Sequence, residues 1–74
     1  MLHFIWNGVT SIQDAIPVGR MDPCSVLNAV AAARAAGGMY EVPDGRGGRV
    51  DLAAVEGLQV VSIETLHRMV DGRG

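Results

Sequence analysis

Few residues in this chain could do chemistry. Cys24 is the only cysteine, and His3 and His67 are the only histidines. A thiol beside an imidazole is the pairing of nucleophilic catalysis, and the same atoms could begin a metal site. Cys24 falls where the first turn of a helix is expected, and a helix N-terminus can lower a thiol pKa. Both histidines are far from it in sequence, and no motif surrounds it. The three residues also lack the short ligand spacing of a metal site. Cys24 therefore reads as a structural residue at a helix start, with no metal or cofactor expected. Asp44 and Asp51 are the candidate paired carboxylates. Each stands where a turn or a helix cap already accounts for an aspartate. A chain of 74 residues leaves little room for a closed, water-excluding active site. Together these points argue against an enzyme.

A different chemistry is suggested by "VPDGRGGRVDL", residues 42 to 52. A glycine-rich turn can leave backbone N–H groups pointing into a concavity that holds an anion. Arginine adds a planar fork that clasps phosphate or carboxylate through two bonds. Gly45, Gly47 and Gly48 supply the first feature, and Arg46 and Arg49 the second. The stretch lacks the lysine followed by serine or threonine of a phosphate-binding loop, and it does not open a helix after a strand. The competing reading is a solvated hairpin tip whose arginines keep it soluble. Trp6 and Tyr40 are the aromatic side chains that could stack on such a ligand. Phe4 and Trp6 fall on one side of a strand, and His3 and Ile5 on the other. Core packing is the alternative for all of them.

Composition limits the classes of partner. The net charge is −2, with six arginines and no lysine, which argues against nucleic acid as a partner. The apolar runs are too short to span a bilayer. "MLHFIWNGV" lacks the basic start and long apolar region of a signal peptide. The expected location is the cytoplasm. A domain this small sits near the lower limit of independent stability. It can form no intrachain disulfide, so the expected reinforcement is association into a homo-oligomer. The 49% hydrophobic content agrees, because some of that surface would face another chain.

The elements that must position these residues follow from pattern. "LHFIW" reads as a strand. Asn7-Gly8 is a hairpin signal, but "SIQDAI" also fits a helix of about a turn and a half, stopped by Pro17, and the helix is preferred. The clearest helix begins with Asp22 as N-cap and Pro23 at its first position, and ends at Gly37. Met21 and Val26 are placed to staple its start. Its face of Ala29, Ala32, Ala33 and Ala36 would let it lie close to a sheet. Met39–Val42 and Arg49–Leu52 should pair as a hairpin across the glycine-rich turn. "DLAAVEGL" could form one helical turn between Asp51 and Gly57. "LQVVSI" reads as a strand, and "SIETLHRMVDG" as a final helix from Ser62 to a stop at Gly72. The four residues "DGRG" at 44–47 return at 71–74 and are too few to make a repeat.

The expected architecture is a single small α/β domain of the α+β type spanning 1–74. Three or four mainly antiparallel strands would pack against the Ala-rich helix and a short C-terminal helix. The expected function is an oligomeric, non-enzymatic binding protein. It would sequester or sense an anionic, nucleotide-like small molecule at a subunit junction. The alternative is a protein-interaction module, an inhibitor or adaptor, docking an apolar face on a larger protein.

Overall fold

The computed structural model describes residues 1–71. Gly72, expected to stop the last helix, lies outside the described residues, as do the last three residues of the second "DGRG".

Among the described residues the chain forms five strands and two α-helices: β1 (Leu2–Ile5), β2 (Ile16–Pro17), α1 (Pro23–Ala35), β3 (Glu41–Pro43), β4 (Arg49–Asp51), β5 (Gln59–Ser62) and α2 (Ile63–Asp71). This is the α+β class. The strands make two antiparallel sheets, one ordered β2-β1-β5 and one formed by the β3-β4 hairpin. β1 takes the centre of the larger sheet because His3, Phe4 and Ile5 are all buried, so its neighbours cover both of its faces.

The sheet buries both of its faces. On the Phe4 side, α1 and the hairpin contribute Val26, Val30, Val42 and Leu52 to a core that includes Ile16 and Val18. On the Ile5 side, α2 contributes Leu66 to a second core with Ala15, flanked by Val61, Ile63 and Val70. Phe4, Ile16, Leu52 and Leu66 are fully buried, and each such side chain contributes about 1.5–3 kcal/mol of apolar transfer.

Helix α1 is held by two of its residues, Val26 and Val30, one turn apart. Ala29 and Ala33 are half-buried, while Ala32 and Ala36 are exposed. The alanine face is therefore not the packing face. The valines outcompete it because they bury more apolar area per residue. The helix starts and stops where expected. Asp22 occupies the N-cap position with extended backbone, but its carboxylate makes no bond to a helix N–H. It accepts the Ser25 hydroxyl instead, at 2.7 Å. At the other end, Gly38 N–H bonds Ala33 C=O and Gly37 N–H bonds Arg34 C=O, the paired bonds of a Schellman stop with Gly37 in the left-handed conformation. Ser62 caps α2, its Oγ accepting the Thr65 N–H. Glu64 follows in the first turn. Its carboxyl is held below the ordinary carboxylate value, first by its own backbone N–H, then by Ser62, the chain's amino group and Arg68.

Three local expectations are corrected. "SIQDAI" is not a helix of a turn and a half: Ile12–Asp14 make a single 3₁₀ turn, closed by the Ser11 hydroxyl on the Asp14 carboxylate. Ile16 then leaves to pair with Phe4. So short a segment cannot offset helix nucleation, and burying Ile16 decides the matter. Asn7-Gly8 forms a turn, with Val9 N–H bonding Trp6 C=O, but only Gly8 has positive φ. Asn7 N–H is taken by Glu56 C=O, so the chain does not fold straight back as a hairpin. "DLAAVEGL" forms turns and no helix. Asp51 still anchors it, its Oδ1 accepting Ala53 N–H and Tyr40 N–H, both at 2.9 Å.

Candidate functional site

The glycine-rich loop is the tip of the β3-β4 hairpin. Pro43 faces Arg49 across the ladder, and Asp44 N–H bonds Gly48 C=O at 3.1 Å. Gly45 and Gly47 take the left-handed conformation that reverses the chain. The backbone N–H groups of the tip do converge, as the anion reading requires. They converge on Asp44. Its Oδ1 accepts Arg46 N–H at 2.7 Å and Gly48 N–H at 3.0 Å. These bonds, the Arg46 bond first, hold the Asp44 carboxyl below its ordinary value. The concavity is thus filled by the chain's own anion.

The arginines stand outside it. Arg46 is exposed at the tip. Arg49 leans along the strand toward Glu41, at 3.6 Å, in a pair that is largely in solvent. Such a pair contributes about 0–1 kcal/mol. Tyr40 lies at the opposite, open end of the hairpin, where its C=O accepts Leu52 N–H. Trp6 lies beyond the end of β1. Both aromatics are half-buried and pack on the Phe4 core. Within one chain, then, Arg46, Arg49, Gly45, Gly47 and Gly48 form one cluster, and Trp6 and Tyr40 are not part of it.

The remaining candidates also separate. Cys24 is free and exposed in the first turn of α1. His67 is exposed on α2, and His3 is buried in β1 with no hydrogen-bond partner at Nδ1 among the described residues. No group of three or more metal-ligating side chains occurs among the described residues. Among them, too, no helix is long and apolar enough to cross a membrane.

Pattern reading missed a groove of about 310 Å³ between α1 and the start of β5, lined by Leu27, Val30, Ala31, Arg34, Gly57 and Leu58. Arg34 closes one end. Its Nε donates to Ala53 C=O at 3.2 Å and its terminal nitrogen to Val55 C=O, tying α1 to the 53–57 turn. Below it, Gly57 has φ +74°, and a Cβ there would overlap the carboxamide of Asn7. A signal was present: Leu27, Ala31 and Arg34 follow one another at helical spacing. An arginine on an otherwise apolar stripe implies a polar partner reached across the packing layer.

Compared with known proteins, the chain matches no family model, and no curated protein or solved structure is significantly similar to it.

Proposed function

We propose that this chain is a non-catalytic protein-interaction module, an adaptor or inhibitor, that presents the α1–β5 groove to a larger protein. The observation that carries this reading is the groove itself. Its floor carries the aliphatic side chains of Leu27, Val30 and Leu58, polar atoms including those of Arg34 share its surface, and it opens beside the exposed alanines Ala31, Ala32 and Ala35. Small side chains let a partner's helix or side chain approach closely, and a groove with aliphatic side chains beside a helix suits a helix-in-groove contact. The reading places the protein in the cytoplasm, where the exposed Cys24 would remain a free thiol. The test is Ala31→Arg, which fills the groove mouth from an exposed position. It should leave the melting temperature of the isolated protein near that of the parent and abolish recovery of a partner cross-linked in the native cell. Equal recovery by parent and variant would defeat the groove reading.

The second reading is capture of an anionic, nucleotide-like ligand at the hairpin tip, supported by two exposed guanidinium groups on one short turn. The ligand would have to displace the Asp44 carboxylate or be held by the guanidinium groups alone, which makes this the weaker reading. Arg46→Ala with Arg49→Ala should leave the ligand-free melting temperature almost unchanged. Calorimetric titration with a nucleotide panel then decides: loss of binding in the double variant supports the reading, and equal or absent binding in both proteins rejects it.

A further inference from the structure

We infer that the outer edge of β5 is a homodimer seam, in which two copies pair β5 with β5 antiparallel about a twofold axis and join their three-stranded sheets.

Backbone direction along β1 shows which groups are available. Leu2 C=O accepts Val18 N–H, on the β2 side. In an antiparallel ladder the N–H and C=O of one residue point the same way and alternate along the strand. Leu2 and Phe4 therefore address β2, while His3 and Ile5 address their partners Val61 and Gln59 in β5. Ile63 N–H bonding Met1 C=O continues the same alternation. The N–H groups of Val60 and Ser62 must point away from β1, and neither has an acceptor among the described residues.

The side chains agree. Residues of the central strand are buried on both faces, whereas Val60 and Val61, on opposite faces of β5, are both only half-buried. A strand added alongside would cover both at once.

The other exposed edges carry protection that β5 lacks. β2 has two residues and ends in Pro17. The hairpin has Pro43 in one strand and Glu41, Arg49 and Asp51 in its pairs. Proline, charge and shortness are how proteins keep sheet edges from pairing. β5 reads Gln-Val-Val-Ser, with no charge, no proline and a continuous register against β1.

The occupant is a second copy because of charge. A twofold axis sets each residue against its own counterpart or a near neighbour, so a charged edge repels itself. An uncharged edge does not. The groove reading concerns α1 and the residues just before β5 and is read by partner recovery, whereas this proposal is read on the purified chain alone, so either can fail without the other.

The test begins with the unmodified protein. Sedimentation across the micromolar range should show a dimer, and the Val60 amide should gain protection from hydrogen exchange as concentration rises. Val60→Pro removes the outward donor and leaves the β1 ladder intact. It should be monomeric with the circular dichroism of the parent. If that variant does not fold, Gln59→Lys, at an exposed position, should weaken dimerisation several-fold. A monomer throughout the range would overturn the proposal. So would a dimer whose Val60 amide exchanges equally fast at every concentration, because the contact would then lie elsewhere.

Discussion

The carboxylate of Asp44 lies where a side chain on Gly48 would begin. Asp44 Oδ1 accepts the Gly48 N–H at 3.0 Å, and a Cβ on residue 48 would come within 2.7 Å of Oδ2. The turn is therefore built around an internal anion, and a side chain at position 48 would have to displace that carboxylate.

Removing that anion should expose the site it fills. Asp44→Ala should speed hydrogen exchange at the Arg46 and Gly48 amides and let added phosphate shift their NMR signals, while the parent shows no such shift. Acid should loosen the same turn in the parent. Asp44 titrates below the ordinary 3.8. A carboxylate with a lowered pKa stabilises the fold above its unfolded value, and that contribution is lost as pH falls through the folded value. The turn should thus hold down to pH 3.8 and open only below it, as read by the Arg46 amide during acid titration.

Arg34 joins α1 to the 53–57 turn through two carbonyls. Arg34→Ala should destabilise the chain by about 1 kcal/mol, the net worth of exposed hydrogen bonds of this kind. Arg34→Lys should recover only part of this, because lysine loses the fork that reaches both acceptors. Denaturant midpoints of the two variants make the comparison.

Gly57 combines positive φ with close approach to Asn7. Gly57→Ala should destabilise by about 1–3 kcal/mol, through backbone strain and displacement of the carboxamide. Combining it with Asn7→Ala removes the overlap and leaves the strain, so the double variant should be less destabilised than the sum of the single ones. Additive midpoints would mean that the carboxamide does not constrain residue 57.

His3 is 6% exposed, with Nδ1 unpartnered. A buried polar atom without a partner costs about 1–3 kcal/mol. His3→Leu should therefore leave stability unchanged or raise it, unlike most core substitutions. A lowered thermal midpoint would mean that the imidazole makes a favourable contact in the folded chain.

What could be read in the residues was whatever depends on near neighbours. Asp22-Pro23 and Gly37 bound α1 because capping and chain reversal are settled within a few residues. Ser62 starts α2, and the glycine-rich stretch makes a hairpin tip, for the same reason. The alternation that separates Phe4 from Ile5 was equally legible, and the two residues enter different cores.

Tertiary structure decided what depends on distant partners. Ile16 leaves a local turn because Phe4, twelve positions earlier in the chain, offers burial that a short helix cannot. The bond from Arg46 N–H to Asp44 is a local turn pattern that an aspartate at this position already offers, but the second bond, from Gly48 N–H to the same oxygen, forms only when the hairpin closes. The groove needs α1 and the start of β5 side by side, where Arg34 also reaches the carbonyls of Ala53 and Val55. Sequence pattern by itself determined the two α-helices, the hairpin and the two faces of β1, because those rest on local propensity and periodicity. Which faces meet, and which hydrogen bonds are already satisfied, was decided only by packing across the chain, because a site is formed by residues whose separation in sequence carries no information about their separation in space.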